Sequence, residues 1–165
     1  LDMGMDPFNF ADALLGILAQ RLAKRLCGKC KKPHVATQDE IKLMLAEYCE
    51  ELKNIDRFKA DPNAAYKTVF ADWVKHYGND KVELTLYEPV GCDTCMGTGY
   101  KGRVGLHELM VGTDPIKKHI QEHARVAEIV VTALGEGMRT LKQDGMEKVL
   151  QGITDMHQVR SVCNK

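Results

Sequence analysis

Two cysteine pairs constrain the fold of this chain more than any other feature. Cys27 and Cys30 form one C-x2-C pair, Cys92 and Cys95 form a second, and 61 residues lie between the pairs. Each pair lets two thiolates from one tight turn reach the same ion, and two pairs complete a tetrahedral sulfur shell. Zn²⁺ is the predicted ion because it prefers four soft ligands and has no redox chemistry. Such a site has no open coordination position, so its predicted role is structural.

Two other uses of these cysteines remain open from the sequence, a redox-active pair and structural disulfides. Cys49 and Cys163 stand apart from the pairs. No signal-peptide pattern opens the chain, which favours a reducing cytoplasm and a metal site. The first residues, from Leu1 to Pro7, look like the interior of a longer protein.

Charge and hydropathy narrow the possible partners. The 165 residues carry 23 basic and 23 acidic side chains, and 44% of the residues are hydrophobic. A nucleic-acid or anionic-membrane partner would favour a basic excess, so this balance predicts no nucleic-acid partner. No apolar run approaches the roughly 20 residues that cross a bilayer, which predicts no direct membrane insertion.

The expected fold is mostly α with a small β element. Leucines at three- and four-residue spacing predict a helix over 10–26, in a segment 1–26 that enters from an upstream domain. Six basic residues follow one another from Arg21 to Lys32 without an acidic residue. This cluster either offsets the formal charge of about −2 that four thiolates leave on Zn²⁺, or it is an ordinary solvated helix end.

A helical hairpin is predicted between the cysteine pairs, over about 37–78. Thr37 and Glu40 form a capping box that begins a helix over 38–53, and Asp61-Pro62 begins a second over 62–77. The second helix carries an apolar stripe at helical spacing, formed by Tyr66, Val69, Phe70, Trp73, Val74 and Tyr77. The stripe predicts a core between packed helices, and a partner-binding groove filler is the alternative.

The remaining elements define the expected domains. Residues 81–87 alternate as a strand, 104–110 form a further short extended segment, and Gly97, Gly99 and Gly102 are expected to aim amides at sulfur. Four helices follow, over 113–123, 125–135, 138–151 and from 154 onward. The predicted division is therefore a zinc-tethered subdomain at 27–104 and a small C-terminal helical bundle at 105–165.

Motifs for catalysis are missing from the sequence. It contains no phosphate-binding loop, no dinucleotide-binding glycine turn and no nucleophile elbow. His119 and His123 lie one turn apart without a supporting carboxylate pattern, so we expect surface residues there. His107-Glu108 is expected to be structural, and Cys49 and Cys163 are expected to be inert thiols. No catalytic or cofactor-binding residue is predicted.

Three ordered stretches resemble the motor ATPases of type II secretion and type IV pilus assembly. They are AQRLAKRLC at 19–27, GCDTCMGTGYKGRVGLHEL at 91–109 and GMRTLKQDGMEKVLQGIT at 137–154. The resemblance implies a C-terminal region of a hexameric ATPase whose ATP and Mg²⁺ sites lie upstream. It implies a cytoplasmic location at the inner face of the bacterial inner membrane. The implied partners are neighbouring ring subunits and inner-membrane platform proteins.

Within that family, only Cys27, Cys30, Cys92 and Cys95 carry over residue by residue, as the tetracysteine ligands. The spacing between the pairs is longer than in many relatives, so the hairpin resembles an insertion. We expect it either to contact a neighbouring subunit or the platform as a rigid protrusion, or to pack on its own domain. Two alternatives to the motor remain: a cochaperone-type zinc module, because residues 92–99 fit C-x2-C-x-G-x-G, and a nucleic-acid-binding zinc module.

Overall fold

The computed structural model describes residues 4–163. Residues 1–3 of the segment predicted as an entering helix lie outside these residues. Within them, helices predominate over two small antiparallel sheets. The helices are α1 Pro7–Ala13, α2 Gln38–Glu50, α3 Asp56–Lys59, α4 Pro62–Tyr77, α5 Asp114–Gln121, α6 Val126–Gly135, α7 Leu141–Leu150 and α8 Met156–Cys163. The strands are β1 Gly16–Leu26, β2 Lys32–Val35, β3 Thr85–Glu88 and β4 Tyr100–Val111.

The helix predicted over 10–26 is wrong for most of its length. Only α1 is helical there, and residues 16–26 form β1, which pairs antiparallel with β4. Leu18 and Leu22 are four residues apart, a spacing that also places two side chains on one face of a strand. They lie opposite Leu109 and Gly105 in the register. The leucine spacing fits both a helix and a strand, and pairing with β4 therefore determines that residues 16–26 form a strand. The extended segment expected at 104–110 lies inside β4.

A second sheet joins the two sides of the hairpin. β2 pairs antiparallel with β3, with His34 opposite Leu86. β2 was not predicted, and β3 begins four residues later than the strand expected from residue 81. The delay has a local cause, because the Asn79 side chain accepts hydrogen bonds from the amides of Lys81 and Glu83 and holds that stretch in a turn.

Both hairpin helices form, α4 over its predicted range and α2 with an end at Glu50, three residues before the predicted end. The hydroxyl of Thr37 accepts from the amide of Glu40, and the Glu40 carboxylate accepts from the amide of Thr37, which completes the capping box of α2. α4 begins after Asp61, whose side chain caps the amide of Asn63. The short helix α3 between them was not predicted; it buries Phe58.

One main core includes both the hairpin and the C-terminal helices. Its buried side chains come from α2, α3, α4, β3, α6, α7 and α8 and from the segments between them, and include Tyr48, Trp73, Leu84, Met146 and Val159. The apolar stripe of α4 thus lies in a core, as predicted. The hairpin packs on its own domain and is not a separate protrusion, since its apolar face meets α7.

The four C-terminal helices appear within a few residues of their predicted ranges. A smaller apolar cluster joins α1 to α5 and α6 through Ala11, Ile116, Ile120 and Ala133. Met110 of β4 packs against this cluster, while α7 and α8 lie against β4 and β1. Among residues 4–163, no helix is long and apolar enough to cross a membrane.

Candidate metal centre

The four predicted ligands meet where β1 ends and β4 begins. Cys27 follows directly after β1, and its amide donates to the carbonyl of Gly99 at 2.9 Å. The amides of Cys30 and Lys31 both donate to the carbonyl of Cys27, which closes the first turn. The two cysteine-bearing turns are therefore held together by the backbone, before any contact between sulfur atoms.

A short 3₁₀ turn, Asp93–Cys95, shapes the second pair. The carbonyl of Cys92 accepts from the amides of Cys95 and Gly97. Gly91 (φ +111°) approaches Gly97 so closely that a Cβ at Gly91 would lie 2.6 Å from the Gly97 carbonyl oxygen. Glycine is thus required at residue 91 by both its backbone angle and its contact.

The sulfur atoms form one compact cluster. The Sγ atoms of Cys27 and Cys92 are 3.9 Å apart, those of Cys30 and Cys95 are 3.8 Å apart, and those of Cys92 and Cys95 are 3.8 Å apart. All four Sγ atoms lie within 4.8 Å of one another. A tetrahedron with zinc–sulfur bonds of about 2.3 Å has edges of about 3.8 Å. The cluster therefore fits a tetrahedral Zn²⁺ shell, and its spacing is far longer than a disulfide bond of about 2.05 Å.

Backbone amides point at two of the sulfurs. Gly91 donates to the Sγ of Cys30 at 3.3 Å, while Cys92 and Gly99 donate to the Sγ of Cys95 at 3.2 Å each. Hydrogen bonds of this kind stabilise thiolate charge and orient metal ligands. Of the three glycines expected to donate an amide hydrogen bond to a sulfur, only Gly99 does so. Gly97 bonds the carbonyl of Cys92 instead, and the contribution of Gly91 was missed.

The surroundings of Cys95 and Cys30 shift the pKa values of these two thiols in opposite directions. Burial opposes ionisation of Cys95, but the amides of Cys92 and Gly99, with hydrogen bonds from Cys92 and Cys30, outweigh it and lower its pKa to about 6. Burial dominates at Cys30 and raises its pKa to about 11. The amides therefore favour a thiolate at Cys95, whereas burial disfavours one at Cys30.

The remaining cysteines lie elsewhere. Cys49 is buried in the core on α2, and burial raises its pKa to about 11. Burial also raises the pKa of Cys163 at the end of α8. Within the described chain, the tetracysteine cluster is the one group of three or more potential ligands that converge. These environments agree with the expectation of inert thiols.

His107 and His119 have partners within the fold, and His123 is exposed. The amide of His107 donates to Asp144, and the carboxylate of Glu108 accepts from the amide of Leu141 at the start of α7. His119 contacts the hydroxyl of Thr132 at 2.9 Å. Glu108 thus anchors a helix start, in line with its expected structural role.

A core of helices on a two-stranded antiparallel ribbon, with four cysteines converging at one end, defines a mostly α tetracysteine domain. Over residues 1–161 the chain matches the family described as "Type II/IV secretion system protein". It belongs to this family.

Individual relatives agree with the family match. The chain is 35% identical to the type IV pilus assembly ATPase PilB of Thermus thermophilus over 96% of the chain and 14% of the relative. It is 33% identical to the type II secretion system ATPase E of Vibrio cholerae, and 32% to the type II secretion system protein E of Dickeya dadantii. Both matches cover 99% of the chain and 26% of the relative. The chain thus spans about a quarter or less of these relatives.

Proposed function

We propose that Cys27, Cys30, Cys92 and Cys95 bind one structural Zn²⁺. The observation that carries the proposal is the cluster of four Sγ atoms, which all lie within 4.8 Å of one another and include three separations of 3.8–3.9 Å, close to the edge length of a zinc–thiolate tetrahedron. When bound, the ion supplies a closed four-thiolate cross-link and no open position for substrate. Its role is to hold the two turns, and through them the ends of β1 and β4, in one arrangement.

On this basis, the chain is the zinc-stabilised C-terminal structural and interaction region of a motor ATPase. Its relatives are named as ATPases of type IV pilus assembly and type II secretion, and it spans about a quarter or less of their length. ATP and Mg²⁺ belong to the parent protein, a hexamer at the cytoplasmic face of the inner membrane. Its partners are neighbouring ring subunits and the inner-membrane platform.

An ATPase assay on the purified chain tests whether this region hydrolyses ATP by itself. Catalysis of phosphoryl transfer needs a phosphate-cradling backbone and Mg²⁺ ligands, and the sequence has no such loop. We expect no Mg²⁺-dependent ATP turnover by the zinc-loaded chain. Turnover that survives further purification and depends on Mg²⁺ would contradict the proposal.

Variants of the full-length motor test whether the metal centre is needed for pilus assembly or secretion. Cys95→Ser in the full-length motor is expected to reduce pilus assembly or secretion, because the ends of β1 and β4 are no longer cross-linked. Cys49→Ala is the matched control, since Cys49 lies in the core away from the cluster. Equal output from both variants at equal protein level would contradict a functional role for the centre.

A further inference from the structure

The charge of this chain is balanced overall but strongly divided in space. We define the cysteine end as residues 23–36 and 89–104, which hold the end of β1, both cysteine turns, β2 and the start of β4. It carries seven basic residues against the single acidic residue Asp93, a net charge of +6. The rest of the chain carries 16 basic and 22 acidic residues, a net charge of −6. The basic residues are Lys24, Arg25, Lys29, Lys31, Lys32, Lys101 and Arg103.

These cations lack acidic partners. Among residues 4–163, none of the seven forms a salt bridge, whereas eight of the 15 described Lys and Arg residues elsewhere do. Six of the seven are exposed. The half-buried Lys31 donates to the carbonyl of Gly152 and lies over the Tyr87 ring, 4.2 Å from its centroid. The cysteine end is therefore a cationic surface that the chain itself does not neutralise.

The cations lie around the two turns as one surface. Lys24 is opposite Arg103 in the β1–β4 register, and both line a shallow concavity beside Tyr100. Arg25, Lys31 and Lys101 line the adjoining concavity. Four thiolates with one Zn²⁺ would remove about two charges, so a net charge near +4 remains after metal binding.

An apolar side chain stands within this surface. Met96, on the second cysteine turn, is 89% exposed and has a left-handed backbone (φ 51°). It is the most exposed of the large hydrophobic residues in the described chain. The nearest acidic groups are few: Asp93 lies on the same turn, Glu88 is opposite Lys32, and Asp155 accepts from the Tyr100 hydroxyl.

We propose that the cysteine end docks peripherally on an anionic lipid surface, with its cations at the headgroups and Met96 at the interface. Five of the seven cations are lysines, which are depleted in protein–protein interfaces but suit diffuse attraction to anionic headgroups. A cationic surface with one apolar anchor is the combination that binds membranes without spanning them. The opposite charge of the two parts of the chain would also orient it on such a surface. The inference rests on the proposed function only in that Zn²⁺ holds the turns.

Flotation with lipid vesicles tests the docking directly. The zinc-loaded chain is expected to bind phosphatidylcholine vesicles that contain about one-third phosphatidylglycerol, and not vesicles of phosphatidylcholine alone. Binding should weaken as salt is raised. Replacing Lys24, Lys29 and Lys101 with Gln should weaken it roughly 100-fold, at about fivefold per cation. The matched control replaces Lys67, Lys75 and Lys81 with Gln, three exposed lysines without salt bridges on the acidic part, and should bind almost as wild type.

A second pair of variants tests the apolar anchor. Met96→Asn should weaken vesicle binding several-fold, because Asn tolerates the left-handed backbone but removes the apolar side chain. Leu15→Asn is the control, since Leu15 is 87% exposed but lies at the other end of β1. Zinc content measured on each sample separates loss of docking from loss of the metal centre.

Three results would overturn the proposal: no binding to anionic vesicles at low salt, equal binding by the cysteine-end and control variants, or equal binding by Met96→Asn and Leu15→Asn. Binding to a short DNA duplex without vesicle binding would assign the surface to nucleic acid instead. Salt-sensitive self-association without vesicle binding would assign it to a second copy of the chain.

Discussion

Gly91 shows how much of the centre depends on single backbone positions. Its φ of +111° is unfavourable for any residue with a Cβ, and that Cβ would meet the carbonyl oxygen of Gly97 at 2.6 Å. Its amide also donates to the sulfur of Cys30. A side chain at residue 91 would disturb the second turn and one ligand together.

We predict that Gly91→Ala lowers the free energy of unfolding of the zinc-loaded chain by about 1–3 kcal/mol, the usual cost of backbone strain. Gly28→Ala is the control, because Gly28 lies in the other cysteine turn and a Cβ there would meet nothing within 4 Å. It should change stability by less than about 0.5 kcal/mol. Denaturant unfolding measures both, and equal effects would contradict the role given to Gly91.

Sulfur itself is tested by a second pair of variants. Cys95→Ser should abolish stoichiometric zinc binding, because its Sγ lies 3.8 Å from the sulfurs of both Cys30 and Cys92. Cys49→Ala should retain one zinc per chain. Metal analysis after exhaustive dialysis gives both values, and retained zinc in Cys95→Ser would show that this thiolate is not a ligand.

At this scale, spacing alone predicted the convergence of the cysteines, because two C-x2-C pairs can share an ion only when both turns meet. The sequence did not reveal which amides approach the sulfurs. Gly91 lies outside the C-x-x-C-x-G-x-G pattern, and its contact depends on how the second turn folds back on Gly97. Only the tertiary arrangement contains that information.

Among the elements, the Glu47 carboxylate on α2 joins that helix to both α7 and α8. Glu47 accepts from Arg160 at 3.0 Å and pairs with Lys142 at 3.3 Å. Burial alone would raise the pKa of Glu47, but hydrogen bonds and charge from Arg160 and Lys142 outweigh burial and hold that pKa below its usual range. A carboxyl group whose pKa is lowered on folding stabilises the fold above its unfolded pKa, and this stabilisation is lost as the pH falls.

We therefore predict that Glu47→Gln costs about 1 kcal/mol of unfolding free energy at pH 7. The difference from wild type should shrink as the pH falls through the lowered pKa of Glu47. Metal release in acid affects both chains alike, so the difference between them is the quantity to follow. Glu50→Gln on the same helix is the control, since the salt bridge of Glu50 is to Lys53, three residues further along the chain. A difference that grows in acid would contradict the linkage.

Elements with local signals were predictable, and elements defined by distant pairing were not. α2 was found because Thr37 and Glu40 form a capping box, and α4 because Asp61-Pro62 marks a helix start. β1 was mistaken for a helix because its leucine spacing fits both periods. Its strand state depends on β4, more than 70 residues away in sequence.

Over the whole molecule, Trp73 of α4 packs on Tyr48 of α2, and Tyr48 links the hairpin to α7. Trp73 is 1% exposed and meets Tyr48 edge-on, with ring centroids 5.3 Å apart. Tyr48 in turn donates to Glu147 on α7 at 2.7 Å. The hairpin and α7 should therefore unfold as one cooperative unit.

We predict that Trp73→Ala costs about 3–5 kcal/mol and lowers hydrogen-exchange protection in α7 as well as in α4. Tyr66→Ala is the control, because Tyr66 belongs to the same stripe but is 37% exposed; its cost should be much smaller. Unchanged protection in α7 would mean that the hairpin is energetically separate.

Whole-chain charge was the least informative sequence quantity. A balance of 23 basic and 23 acidic residues argued against anionic partners, yet the fold places a net +6 at the cysteine end. The strand pairing of Lys24 with Arg103 and the meeting of the two turns create this surface. The cysteine spacing predicted that the two turns meet, but it could not predict the pairing of Lys24 with Arg103, which depends on a strand that was predicted as a helix.

The central claim is a closed four-cysteine zinc site, and native mass spectrometry of the purified, reduced chain with thiol counting tests it most directly. We predict one Zn²⁺ per chain, with only Cys49 and Cys163 outside the centre. Two thiols should therefore react under mild denaturation that leaves the metal bound. All six should react once a chelator has removed the metal. A metal-free chain with six reactive thiols before chelation, or with disulfides between the pairs, would contradict it.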